Sequence, residues 1–169
     1  MEAHVMNRSS RSEASGLELV FAIAGTPAKQ WALVTASLPR MTADEDRRAN
    51  ATLRQELRTA GLDYWLVFAE WKETPGDWKR FAFVDGTGHS EFQAFVCSIL
   101  RRHRQPAALV AADGQASVIN GNGAATKLGA LDIQSAVAAY GRALGGTGNL
   151  KLVRAFVPVG LFGTTVRRR

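Results

Sequence analysis

The sequence is poor in the residues on which covalent and metal chemistry depend. It has one cysteine, Cys97, and three histidines, His4, His89 and His103. A single cysteine permits no internal disulfide, and Cys97, set in an apolar helical stretch, reads as a small buried hydrophobe. So few thiol and imidazole ligands exclude the usual structural zinc spacings. Asp44, Glu45 and Asp46 are consecutive and point in different directions on a helix, so no metal is expected, and no cofactor either. Neither a Gly-Lys-Ser/Thr phosphate loop nor a full dinucleotide glycine fingerprint occurs. No apolar run approaches the roughly 18 residues of a membrane span. The first sixteen residues lack the apolar core of a secretory signal. A cytoplasmic setting without a membrane partner is therefore expected.

What is present describes one globular domain. The 169 residues are 46% hydrophobic and 21% charged, enough apolar material for a core and too much for a disordered chain. Residues 1–15 are polar and without periodicity and read as a mobile leader, 16–160 as a single domain, and 161–169 as a basic C-terminal tail.

The charge is unevenly placed. Residues 1–100 hold eleven basic and thirteen acidic groups, net −2, whereas 101–169 hold ten and two, net +8. Arg101, Arg102 and Arg104 fall at the end of an expected helix, where cations complement the helix dipole. Lys127, Arg142, Lys151, Arg154, Arg167, Arg168 and Arg169 remain as a candidate basic surface, which raises the prospect of an acidic protein surface or nucleic acid as partner. The tryptophans Trp31, Trp65, Trp71 and Trp78 all lie outside this basic third. The interleaving of aromatics and cations that a single-strand stacking groove needs is therefore not visible in it.

Apolar runs at Leu17–Ala24 and Trp31–Ala36, flanked by Gly25, Pro27 and Pro39, read as two strands. Thr42-Ala43-Asp44-Glu45 has the spacing of a capping box, and Ala49, Leu53, Leu57 and Ala60 form one stripe, so a helix is expected over about 43–60, stopped by Gly61. Asp63–Trp71 and Lys79–Asp85 read as a hairpin turning at Pro75-Gly76-Asp77. Ser90-Glu91-Phe92-Gln93 looks like a second capping box opening a helix that Pro106 closes. Two strands follow around Asp113-Gly114, a short-hairpin signal, and then the loop Asn120–Gly123. A helix over about 132–144, capped by Asp132, and a last strand over 150–159 complete the chain. In that strand Leu152, Arg154 and Phe156 are expected on one face and Val153 and Ala155 on the other. The order β-β-α-β-β-α-β-β-α-β implies an α+β or mixed α/β fold, a mixed sheet with three helices. An uncovered last strand can pair with a second copy.

One segment has the setting of an anion or ligand site. Gly86, Thr87, Gly88, His89 and Ser90 follow Asp85 at a strand-to-helix junction, where free amides can receive a phosphate or carboxylate. A plain turn and cap is the competing reading. Two carboxylate pairs, Glu70 with Asp85 and Asp63 with Glu73, are candidates for acid–base work at strand ends.

The segment from Trp31 to about Val110 also carries a set of short motifs: Thr35-Ala36-Ser37-Leu38-Pro39 at a strand end, Asn50 early in a helix with the Leu53 and Leu57 stripe, Phe81-Ala82-Phe83-Val84, and Gln105 before a strand. In these it resembles a small uncharacterised α/β domain family of bacteria, phages and plasmids. Lys79-Arg80 stand where that family's pattern has Glu and Ser. The resemblance implies no reaction, but it singles out Thr35, Ser37, Asn50 and Gln105. Thr35 and Asn50 are thus further ligand-binding candidates, or ties between a loop and the helix.

These readings favour a non-enzymatic binding module, encoded by a mobile element or by a bacterium living with one, that takes a protein or nucleotide partner through a basic edge. The alternatives are a DNA- or RNA-binding protein using the basic C-terminal third, and a small enzyme acting on a phosphorylated substrate at Gly86–Ser90.

Overall fold

The computed structural model describes residues 16–145 and 149–156. The expected leader (1–15), the basic tail (161–169) and the last residues of the domain (157–160) lie outside them. The elements follow as α1 (residues 16–24), β1 (Trp31–Val34), α2 (Ala43–Thr59), β2 (Asp63–Trp71), β3 (Trp78–Asp85), α3 (Phe92–Arg102), β4 (Ala108–Ala112), β5 (Gln115–Ile119), β6 (Ala125–Gly129), α4 (Ile133–Ala143) and β7 (Leu150–Phe156). The strands form one open sheet in the order β6-β5-β4-β1-β3-β2-β7. Every neighbouring pair is antiparallel. The fold is α+β.

Three expectations are corrected: the described residues hold four helices and not three, their seven strands include the unexpected β6 in place of the expected first strand, and no neighbouring strands are parallel. The run at 17–24 is apolar nearly throughout, so it carries no period of its own. It folds as α1, turning Val20 into the core while Leu19 and Phe21 stay 44% and 36% exposed. The helix ends where the Gly25 amide donates to the Phe21 carbonyl and the Thr26 hydroxyl to the Ala22 carbonyl. β6 has no apolar signature because its first three residues are exposed. Backbone pairing with β5 makes it a strand.

Side chains alternate across the sheet, and both faces are buried over its central strands. Trp31, Leu33, Trp65, Val67 and Phe83 point to the layer of α1 and α4, where they meet Val20, Val137 and Tyr140. Ala32, Val34, Tyr64, Ala82 and Val84 point to the layer of α2 and α3, against Leu53, Leu57, Val96 and Leu100.

The capping box of α2 forms as expected: the Thr42 hydroxyl accepts from the Glu45 amide at 3.1 Å, and the Glu45 carboxylate accepts from the Thr42 amide at 2.8 Å. In α4 a Cβ on Gly141 would lie 2.8 Å from Leu150 Cβ and 3.0 Å from the Trp71 ring, so the glycine lets helix and sheet approach closely.

Two outcomes follow. Gly141→Ala raises helix propensity yet lowers the urea midpoint, because overpacking costs about 1–3 kcal/mol against the roughly 1 kcal/mol gained. Hydrogen bonds from the Thr42 amide and hydroxyl hold the Glu45 carboxyl below its ordinary pKa. Its contribution is thus present above the unfolded value of about 4.3 and is lost as pH falls through the lower folded value. Glu45→Gln should flatten that acid limb of the stability–pH curve.

Candidate functional site

The residues quoted with the family resemblance converge. Thr35, Asn50 and Gln105 are the buried polar side chains, at 4%, 3% and 7% exposure. Asn50 Oδ1 accepts from the Ala36 amide at 3.2 Å, and its Nδ2 donates to Ser37 Oγ at 3.0 Å and the Asp46 carbonyl at 2.9 Å. Gln105 Nε2 donates to the Ser37 carbonyl at 2.8 Å. The Thr35 hydroxyl donates to the Arg80 carbonyl at 2.6 Å and accepts from the Ser37 amide at 3.1 Å. Buried polar groups demand partners, and here those partners are Ala36 and Ser37 of the loop between β1 and α2, together with the Asp46 carbonyl of α2 and the Arg80 carbonyl of β3. The cluster braces that loop.

At Gly86–Ser90 most of the candidate anion donors are engaged. The Gly86 amide donates to the Gln30 carbonyl, the Thr87 amide to Asp85 Oδ1, and the His89 amide to the Gly86 carbonyl. The Thr87 hydroxyl accepts from the Gln30 amide at 2.9 Å. The expected box of Ser90 and Gln93 does not form, since Glu91 stands at the N-cap of α3 without a side-chain bond. Gly86 is small for a packing reason: a Cβ there would lie 2.4 Å from the Phe92 ring. Gly88 supplies positive φ, and His89 packs against Phe92 and Phe95. The carboxylate pairs are also rearranged. Register sets Asp63 opposite Asp85, and Glu70 instead accepts from the Gly76 amide.

The candidate cations are dispersed. Lys127, on β6, lines a groove of about 280 Å³ with Gln93, Gln115 and Ser117. Lys151 and Arg154 are on β7 at the other end of the seven-stranded sheet, a separation of roughly 29 Å at normal strand spacing. Arg142 is exposed on α4, in the opposite helix layer. Arg167, Arg168 and Arg169 lie outside the described residues. Among the described candidates only Lys151 and Arg154 share a surface.

A β-bulge brings those two together. The pairing of β2 with β7 shifts between Phe68 and Ala69, so that Lys151 opposes Glu70 and Arg154 opposes Phe68. Residues three apart normally face opposite sides; the extra residue, Val153, resets the alternation. Leu152 and Ala155 both enter the core, and the expected grouping of Leu152 with Arg154 is overturned. Phe68 and Trp78 occupy the same face as the cations, through the β2–β3 register.

The result is a surface that α2 covers only in part. The Arg154 guanidinium lies 4.4 Å from the Trp78 ring centroid. Phe68 lies 5.8 Å from Trp78 and 5.9 Å, edge to face, from Phe156. Trp78 is 39% exposed, and Lys151 is exposed beside it. Arg80 Nη1 bonds to Asp46 Oδ2 at 3.2 Å, and Arg58 donates to the Tyr64 hydroxyl at 2.8 Å. Sequence reasoning missed Phe68 and Trp78 because they precede the basic third, in which Phe156 lies. Drawing the hairpin register would have put Phe68, Trp78 and Arg80 on one face; the place of β7 had no comparable signal.

No family model matches the chain, and neither a curated protein nor a solved structure matches it. Among the described residues no helix is long and apolar enough to cross a membrane, and no group of three His, Cys, Asp or Glu side chains could hold a metal ion.

Asn50→Ala leaves the buried Ala36 amide without its acceptor, and the expected loss is about 2–3 kcal/mol in urea unfolding. An unchanged midpoint would remove the bracing role.

Proposed function

We propose that the protein is a non-enzymatic binding module that holds a negatively charged partner against the β7 edge of its sheet. The observation that carries this is the pairing of Arg154 with an exposed Trp78, next to Lys151, on a partly open face. Clustered cations on a rigid sheet attract opposite charge, and an exposed ring beside them adds apolar contact area. The engaged amides at Gly86–Ser90, with the Asp85 carboxylate among them, favour the binding reading over chemistry on a phosphorylated substrate. Kinship with the uncharacterised bacterial, phage and plasmid family belongs to the same proposal. The residues that suggest it brace the fold and call for no reaction.

Retention on immobilised heparin, a generic polyanion, tests the placement of the charge. Lys151→Glu combined with Arg154→Gln should lower the salt needed for elution, with the circular dichroism unchanged. Lys127→Glu, at the opposite edge, should leave retention close to that of the parent. Equal effects from both would show the charge acting diffusely, and the reading would fall.

A further inference from the structure

We infer that the open face of β2, β3 and β7 is a stacking platform for single-stranded nucleic acid. The inference rests on the binding role just proposed and names its partner. Trp78 on β3, Phe68 on β2 and Phe156 on β7 form a row across three adjacent strands, joined by ring contacts of 5.8 and 5.9 Å. Such a row spans about 10 Å at normal strand spacing. Aromatic rows on antiparallel sheets of this width stack about two or three bases, because every base offers a π-face whatever its sequence.

The cations are placed for the backbone of the same strand. Lys151 and Arg154 stand along β7 on that face, and Arg80 and Arg58 border it on the side of α2. Among the described residues Asp46 is bonded to Arg80, and Glu70 accepts from the Gly76 amide. The Arg154 guanidinium at 4.4 Å from the Trp78 centroid supplies a second planar surface on which a base can stack.

Two other polyanions fit less well. A duplex keeps its bases inside, so it could use the cations but not the rings. An acidic protein face would use the cations and has no need of an aromatic row between them. Among the described tryptophans, Trp31 and Trp65 are 3% and 5% exposed and the partly buried Trp71 packs against the core on the α1 and α4 side, whereas Trp78 is 39% exposed on the open face, so quenching by a stacked base reports on Trp78.

The test is titration of the full chain with an oligothymidylate and an oligouridylate of about twelve nucleotides, followed by tryptophan fluorescence and by anisotropy of a labelled strand. Saturable quenching is expected. Trp78→Ala should weaken binding about tenfold or more. Trp78→Phe should keep most of the affinity and lose the quench, which separates stacking from a disturbed fold. With three cations in contact, affinity should drop roughly twenty-fold between 50 and 200 mM salt, a response that Lys151→Glu makes shallower. Binding unaffected by Trp78→Ala, or a duplex bound as tightly as the single strand, would overturn the stacking platform. Heparin retention that depends on Lys151 and Arg154, without any oligonucleotide binding, would overturn it too while leaving the binding role in place. Loss of both would remove the binding role as well.

Discussion

The central strand β1 has no side that faces water. Trp31, Ala32, Leu33 and Val34 are at most 3% exposed. A strand buried on both faces at the middle of an antiparallel sheet needs a helical layer on each side, because apolar surface left in water costs about 25 cal/mol per Å². Two helices lie on one face and two on the other. α2 and α3 cover the β1, β3 and β4 region of their face and do not reach across all of β2 and β7. The partly open surface at that end follows from covering a seven-stranded sheet with two helices per side.

The polar brace around Asn50 determines where α2 sits in that arrangement. Asn50 ties the helix to Ala36 and Ser37 just beyond β1, and Gln105 ties the same loop to the end of α3. Thr35 joins it to β3 through the Arg80 carbonyl, and the Arg80 side chain returns to α2 through Asp46. Core strand, covering helix and the rim of the open face are thus linked by directional bonds, which specify one packing where apolar contact alone tolerates several. Rigidity of this kind lets an aromatic row on the neighbouring strands keep its spacing.

Much of the fold was legible along the chain. α2 was announced by its capping box and by the Leu53 and Leu57 stripe, the β2–β3 hairpin by its turn, and the tight β4–β5 connection by Asp113-Gly114, both of which adopt positive φ. These signals are local, so propensity and tertiary structure agree. α1 was misread because a nearly all-apolar run carries no period, and β6 was missed because an edge strand can consist of exposed residues held by backbone bonds alone. At Gly86–Ser90 the glycines and hydroxyls were visible, but not that Gln30, 57 residues from Thr87, would occupy them.

The sequence by itself pointed to an α+β or mixed α/β fold with few thiol and imidazole groups, the position of its firmest helix, and a chain whose positive charge is gathered late. The tertiary structure decided which of those charges meet. Lys127 and Lys151 belong to one basic third yet occupy opposite edges of the sheet, while Arg154 meets Trp78 across 76 positions of sequence. The reason is topological: β7 returns to pair with β2, and one bulged residue there turns Lys151 and Arg154 to the same side. Strand partners are chosen by burial and backbone pairing over the whole sheet, and no local pattern of residues records that choice.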